Sequence, residues 1–151
     1  MEMILDASVG QCFLTEDDRS RLMHEAESEI AAGHIDAAMV PFIRRLNAIP
    51  WLATTQCCQG HRNYNGSKAL CLGSISLRAN IHAFPTFLAA LARYQASCGD
   101  GRYEESGWFG FDVEQREDGS DYIRFLAWWT RPAETESRMD LLCRSMEGRF
   151  P

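Results

Sequence analysis

Long apolar runs are missing from this sequence. A membrane-spanning helix needs roughly 18 or more consecutive apolar residues, and no stretch of the chain approaches that length. The first six residues carry two acids, where a secretory signal would carry Lys or Arg. Repeats, low-complexity segments and linker-like stretches are also missing. We therefore expect a cytoplasmic protein without a membrane partner, formed by one domain over residues 1–151.

Basic residues are scarce as well. Lys and Arg total 15 against 21 for Asp and Glu, which gives a formal charge of −6 and a pI near 5.2. An acidic chain gains no general electrostatic attraction to nucleic acid, so non-specific nucleic-acid binding is disfavoured. Glycine-rich phosphate loops and dinucleotide fingerprints are not found.

Cysteines are present but scattered, at positions 12, 57, 58, 71, 98 and 143. In a reducing compartment they should remain thiols. Cys12, Cys98 and Cys143 have no Cys or His at metal-ligand spacing, so we interpret them as small hydrophobic residues.

The apolar pattern that is present predicts eight elements. With 46% hydrophobic residues in 151, the chain can bury the core of one domain. Periodicity predicts an α+β domain in the order α-α-β-β-α-β-β-α, with a mixed or antiparallel sheet flanked by helices. Gly73 is predicted to form a β-bulge. The predicted helices cover about 15–32, 36–47, 85–98 and 134–146, and the strands about 51–58, 69–77, 109–113 and 122–129.

Reactive side chains are densest at residues 54–61, where the sequence reads TTQCCQGH. An apolar run precedes this stretch and a polar loop follows it. Functional groups are often found where a rigid strand ends in a polar loop. We therefore place the candidate site here.

Three kinds of chemistry fit the TTQCCQGH stretch, beside a purely structural role for its strand and core residues. A metal could use Cys58 and His61 with Cys57 or Cys71, although adjacent strand cysteines point to opposite faces and a second ligand pair is not found. A cysteine nucleophile could pair with His61 beside Arg62. A binding loop could use amides near Gly60, hydroxyls and Gln side chains to hold a phosphate, carboxylate or nucleobase. We favour the binding loop and expect no metal.

A family resemblance rests on this stretch and on the segment before it. Gly33-His34-Ile35-Asp36, a helix that ends in Leu46-Asn47, and TTQCCQGH together resemble the wybutosine-synthesis methyltransferase family. That family carries Gly-Ser-Ile-Asp, an Asn near the end of a helix, and Thr-Thr-Ser-Ser-Cys-Ser-Gly-Arg. Positions that match the pattern are Asp36, Thr54, Thr55, Cys58 and Gly60; positions that differ are Gln56, Cys57, Gln59 and His61.

The resemblance implies an α+β fold and S-adenosylmethionine-dependent N-methylation of a modified guanosine in phenylalanine tRNA. We accordingly expect a divergent small enzyme that binds a nucleotide-like ligand, with S-adenosylmethionine as cofactor and tRNA as the macromolecular partner to test. The alternatives are a non-enzymatic small-molecule-binding or regulatory module of the same fold and a zinc-binding module. The expected catalytic residues are Cys58 and His61, and the expected ligand-binding residues are Asp36, Thr54, Thr55, Gln56, Gln59, Gly60 and Arg62.

Overall fold

Helices and strands follow one another in the predicted order. The computed structural model describes residues 12–58, 73–98, 107–115 and 121–148, without the side chains of Cys58 and Trp108. Four α-helices and one four-stranded sheet lie in these ranges, and the α+β prediction is confirmed. None of the helices in these ranges has the length and apolar character needed to cross a membrane. The elements are α1 Glu16–Ala31, α2 Val40–Asn47, β1 Leu52–Cys58, β2 Gly73–Ala79, α3 Phe84–Cys98, β3 Gly107–Gln115, β4 Asp121–Trp129 and α4 Thr135–Met146.

The first helix begins and ends where its capping residues predict. Thr15 Oγ1 accepts a hydrogen bond from the backbone N–H of Asp18 at 3.2 Å, and three acidic residues occupy the first turn. Gly33 follows the helix with a φ of +75°, a conformation that costs glycine little.

The second helix is shorter than the predicted 36–47, a range in which Pro41 already indicated either a kink or a start closer to Ala38. It begins at Val40, and Pro41 lies in its first turn. A proline ring clashes with the carbonyl four residues earlier, so a helix that contains Pro41 cannot extend back to Asp36. The residues before it form a turn in which Met39 N donates to Asp36 O at 2.8 Å.

The sheet is antiparallel throughout, with strand order β1-β2-β4-β3. Its register breaks in β1, where Thr54 pairs with Leu77 and Gln56 pairs with Ser76, so that Thr55 is an extra residue. The prediction of a bulge at Gly73 was wrong, because Gly73 pairs in register with Trp129. A Cβ on Gly73 would overlap the indole ring of Trp129, so glycine is required there for packing.

One face of the sheet carries the hydrophobic core. Ile75, Leu77, Phe125, Ala127 and Trp129 lie on this face and are buried against α2, α3 and α4. Because side chains alternate along a strand, the alternate residues of the same strands form the opposite face. This opposite face is largely polar. This second face borders the candidate site described below.

Residues 12–14 bridge two strands of the sheet. The last pair between β2 and β4 joins Leu77 to Phe125. Beyond it, Leu14 N donates to Ala79 O at 3.0 Å, and Ile123 N donates to Cys12 O at 2.8 Å. The bridging segment therefore takes hydrogen bonds that the two strands no longer make to each other.

Helix α1 lies along β1 and contributes no buried residue of its own. Arg19 attaches the first part of the helix to the rest of the fold, because it donates to the carbonyl oxygens of Asn47 at 2.7 Å, Ile49 at 3.2 Å and Leu52 at 3.2 Å. A groove remains between the helix and the polar face of the sheet.

Candidate functional site

The β1 bulge is held in place by a residue of α2. Asn47 Oδ1 accepts a hydrogen bond from the backbone N–H of Thr54 at 2.9 Å, and Asn47 is only 7% exposed. β1 is the edge strand of the sheet, and this bond joins its backbone to the end of α2 beside the position where the register shifts. The result is that the residue after it, Thr55, lines the groove beside α1.

The first cavity of the groove has a volume of about 460 Å³. It lies where α1, the turn before α2 and strand β1 meet. Its apolar lining is formed by Leu22, Ala26, Ile35 and Ile43. Its polar lining is formed by Glu25, Glu29, His34, Thr54, Thr55, Gln56 and Ser74, with Cys57 beside them. A pocket with an apolar wall and a few placed polar groups is typical of small-molecule sites.

A second cavity, of about 640 Å³, continues from the first along the polar face of the sheet. Leu22, Glu25, Thr55 and Gln56 line both cavities, and we call these four residues the shared strip. The two cavities therefore form one groove. Residues that line only the second cavity are Asp18, Arg21, Arg78, Glu114, Gln115 and Tyr122.

Carboxylates outnumber guanidinium groups along this groove. The acids that line it are Asp18, Glu25, Glu29 and Glu114, against Arg21 and Arg78. Arg21 pairs with Glu25 at 2.9 Å and with Asp18 at 3.5 Å, so its charge is shared between two acids. The groove as a whole is therefore more favourable for a cation than for an anion.

Arg78 lies at the base of the second cavity and is 2% exposed. It donates to Phe13 O at 3.0 Å and to Asp18 Oδ2 at 3.4 Å. Its guanidinium carbon also lies 4.4 Å from the centre of the Tyr122 ring, close enough for a cation–π contact. Burial, followed by the hydrogen bond to Glu114, raises the pKa of Tyr122, which therefore stays a neutral phenol.

An ion-pair network covers the neighbouring part of the polar face. Arg124 of β4 binds both carboxylate oxygens of Asp112 on β3, at 2.7 and 3.0 Å. The same guanidinium contacts Glu114 at 2.6 Å and donates to Gln56 Oε1 at 3.2 Å. The hydrogen bond to Asp112 is the main reason that the pKa of Arg124 is raised. The network thus connects the edge strand β3 to Gln56 on β1.

Two buried hydroxyl groups beside this network have no hydrogen-bond partner within the part of the chain that the structure describes. They are Thr55 Oγ1, in the shared strip, and Ser76 Oγ, on the strand next to it. A buried hydroxyl without a partner costs free energy, on the order of 1–3 kcal/mol. Such groups are uncommon in native proteins and tend to mark sites where a ligand or water completes the bonding.

The structure brings three of the predicted site residues together. Thr54, Thr55 and Gln56 line the groove. Asp36 is half-buried in the turn before α2, and its neighbour Ile35, rather than Asp36 itself, is among the lining residues of the first cavity.

The other predicted site residues are placed only in part or not at all. The backbone of Cys58 ends β1 and pairs with Ser74, but its side chain is not described. Gln59, Gly60, His61 and Arg62 lie outside the described residues. The roles predicted for all of these residues stay predictions.

The cysteines bear on the metal and nucleophile hypotheses. Within the described residues, no group of three or more His, Cys, Asp or Glu is arranged to hold a metal ion. The ligand set considered from the sequence includes His61 and Cys71, which lie outside those residues. Cys143 is buried in the core, and burial raises its pKa to about 12, so it is a neutral thiol rather than a nucleophile.

Sequence reasoning missed the second cavity and its network. The signal was the alternation of polar residues along the strands: Ser74, Ser76 and Arg78 on β2, and Asp112 and Glu114 on β3. A period of two places such residues on one face, which predicts a second polar surface. What the pattern cannot supply is the strand order that brings Arg124 close to Gln56.

Comparisons with known proteins do not place this chain in a family. No family model matches the chain, and no curated protein sequence matches it. Among solved structures, the PH1069 protein from Pyrococcus horikoshii is similar over 95% of each chain, with 11% sequence identity and a TM-score of 0.47. This likeness is too distant to carry an argument about the fold or the function.

Proposed function

We propose that the groove binds S-adenosylmethionine, and that the protein is a small methyltransferase that uses it. The observation that carries this proposal is the first cavity, in which Thr54, Thr55 and Gln56 face an apolar wall and the acids of α1. The resemblance of residues 33–36 and 54–61 to wybutosine-synthesis methyltransferases supports the same cofactor.

The size and lining of the groove suit a nucleoside with a polar tail. A volume of about 460 Å³ falls in the usual range for drug-sized ligands. The apolar side chains of Leu22, Ala26 and Ile35 offer a surface for the adenine ring. The hydroxyl of Thr55 and the carboxylate of Glu25 offer hydrogen bonds to ribose hydroxyls or to the ammonium group of the tail.

Charge supports the same ligand. S-adenosylmethionine carries a sulfonium and an ammonium group against one carboxylate, so it is a net cation, and the groove is rich in acids. A polyanion such as tRNA would be repelled by the same acids. A tRNA partner would therefore have to contact a surface other than the groove, with only the reacting base entering it.

Methyl transfer itself needs little from the protein beyond positioning. A lone pair on the acceptor forms a bond to the methyl carbon, and the sulfur–carbon bond breaks with its electron pair going to sulfur. The acceptor proton passes to a base or to water. Cys58 and His61 are the proposed residues next to this step, with Asp36, Gln59, Gly60 and Arg62 as proposed ligand contacts.

Calorimetric titration tests the cofactor. We expect S-adenosylmethionine to bind more tightly than S-adenosylhomocysteine, which lacks the sulfonium charge. Glu25→Gln should weaken S-adenosylmethionine by about 2–5-fold, the range expected for one partly exposed ion pair, and should affect S-adenosylhomocysteine less. Glu27→Gln is the control, because Glu27 lies on the same helix and lines neither cavity. No heat of binding at about millimolar cofactor, a typical upper range for metabolite sites, would exclude the proposal.

A binding or regulatory module without chemistry is the second candidate. It is favoured by the character of Thr55 and Gln56, which offer hydrogen bonds but no proton transfer. It predicts that Cys58→Ser and His61→Ala leave ligand affinity and partner binding unchanged. Loss of methyl transfer in either variant, with cofactor affinity retained, would instead support the enzyme. A third candidate, a zinc module, predicts about one equivalent of zinc by elemental analysis.

A further inference from the structure

The orientation of the Gln56 side chain follows from its partner. Gln56 Oε1 lies 3.2 Å from a terminal nitrogen of Arg124. A guanidinium group has only donors, so it can contact the oxygen of a carboxamide but not the nitrogen. The two ends of a carboxamide have nearly the same shape, and here the chemistry of Arg124 decides between them.

Arg124 itself is held firmly enough to impose this orientation. Its side chain is 15% exposed, and Asp112 binds it through two parallel hydrogen bonds of 2.7 and 3.0 Å. Glu114 contacts the same terminal nitrogen that reaches Gln56. Paired, charge-assisted bonds of this kind fix direction as well as position. The guanidinium is therefore a rigid support, carried by β3 and β4, for a side chain on β1.

Gln56 presents its remaining group to the groove. Its side chain belongs to the shared strip that lines both cavities. With the oxygen directed to Arg124, the NH₂ group is the part available to a ligand. The neighbouring Thr55 hydroxyl, which is buried and has no partner within the described residues, lies in the same strip.

We propose that Arg124 is a positioning residue that holds Gln56 as a hydrogen-bond donor toward the shared strip, so that the groove selects a ligand with an acceptor there. The acceptor is a carboxylate, a carbonyl or a ring nitrogen. This inference rests on the proposed function in that it concerns the same ligand and groove. It adds that Arg124 determines which group of Gln56, the hydrogen-bond donor or the acceptor, is directed to the ligand.

The first test needs no ligand. In the ligand-free protein, ¹⁵N relaxation of the Gln56 side-chain NH₂ should show an order parameter close to that of rigid backbone, roughly 0.85. Arg124→Lys keeps a positive charge beside Asp112 and Glu114 but cannot reach Gln56 in the same way. In that variant the value for Gln56, which is an exposed residue, should fall below about 0.6, the range of a flexible group.

The second test uses S-adenosylmethionine as the probe. Gln56→Met and Arg124→Lys should each weaken binding by roughly 2–10-fold, as expected for the loss of one hydrogen bond. If Arg124 acts through Gln56, the double variant should be no weaker than the weaker single variant. Gln56→Glu, which replaces the donor with an acceptor, should weaken binding more than Gln56→Met. Arg44→Lys, whose ion pair with Glu27 lines neither cavity, is the control.

The outcomes separate the two proposals. Additive losses in the double variant, or a Gln56 amide as mobile in the wild type as in Arg124→Lys, would overturn the positioning role even if the cofactor binds. A rigid amide in a protein that binds no S-adenosylmethionine would overturn the proposed function and leave the orientation of Gln56 intact.

Discussion

Asn47 and Thr54 are joined by a hydrogen bond from the Thr54 backbone N–H to the side-chain oxygen of Asn47, at 2.9 Å. Asn47 is the last residue of α2, and Thr54 is the residue just before the β1 bulge. The bond therefore connects the end of a helix to the position where the strand changes register. Because Thr55 enters the groove through this bulge, the shape of the candidate site depends on a residue that lines neither cavity.

We predict that Asn47→Ala destabilises the protein by about 1–3 kcal/mol, because it leaves a buried backbone N–H without its partner. Urea unfolding with an unchanged slope would measure this loss. Asn80→Ala is the matched control, because Asn80 Oδ1 also accepts a backbone hydrogen bond, from His82 N, but at an exposed site. Equal effects of the two substitutions would contradict the role assigned to Asn47.

A second prediction concerns Gly73. A Cβ at this position would overlap the side chain of the buried Trp129, whose Nε1 donates to Thr135 Oγ1 at 2.8 Å. Gly73→Ala should therefore cost at least the roughly 1–3 kcal/mol typical of an overpacked core. Gly110→Ala should be close to neutral, since a Cβ there meets nothing within 4 Å. Thermal unfolding of the two variants compares them, and a neutral Gly73→Ala would show that Trp129 can move aside.

The buried hydroxyls give a third prediction, in which one substitution affects the stability of the protein and its affinity for the ligand differently. Thr55→Val should leave the ligand-free protein equally or more stable, because it removes a buried hydroxyl that has no partner in the described structure. The same change should weaken ligand binding by several-fold, about the value of one hydrogen bond. Ser76→Ala also removes such a hydroxyl, but Ser76 lines neither cavity, so binding should not change. A Thr55→Val variant that binds as well as the wild type would remove Thr55 from the site.

The fourth prediction is a dependence of stability on alkaline pH. Burial raises the pKa of Cys143 to about 12, against the opposing effect of Arg45, whereas an unfolded cysteine titrates near 8.5. Between these two values the unfolded chain loses the proton and the native chain keeps it. The native state then binds more protons, so stability falls as pH rises.

Urea unfolding between about pH 8 and pH 10 would reveal this effect, which cannot exceed about 1.4 kcal/mol per pH unit for one group. Cys143→Ala should be less stable at neutral pH because of the cavity, but its stability should fall less steeply with pH. Parallel curves for the variant and the wild type would show that Cys143 does not contribute.

The order and bounds of most elements could be predicted because their signals are local. Thr15 and Gly33 mark the ends of α1 through contacts with their own neighbours. The same local signals gave a wrong prediction at Gly73. A glycine in a strand is compatible with a bulge or with a close side chain, and the deciding residue, Trp129, lies on β4, far along the sequence.

The candidate site could be predicted only in part for a similar reason. The polar residues 54–56 were recognised because they end a strand. Arg78 and Tyr122, which line the second cavity, and Arg124, which contacts Gln56, were not recognised. Their positions depend on the pairing of β2 with β4, which are separated in sequence by α3 and β3. Strand order is set when the sheet assembles, and hydrophobic periodicity does not predict it.

The bridge formed by residues 12–14 has a consequence for how the chain assembles during synthesis. Cys12 receives its hydrogen bond from Ile123, and Leu14 donates to Ala79, so the bonding of this segment is completed by a strand that is synthesised much later. Contacts of such wide sequence separation slow folding, because a long loop must close before they form. Until β4 emerges, the end of β2 and the segment beside it lack part of their bonding. Translation through about residue 125 therefore precedes the closure of this part of the sheet, and with it the completion of the second cavity around Arg78 and Tyr122.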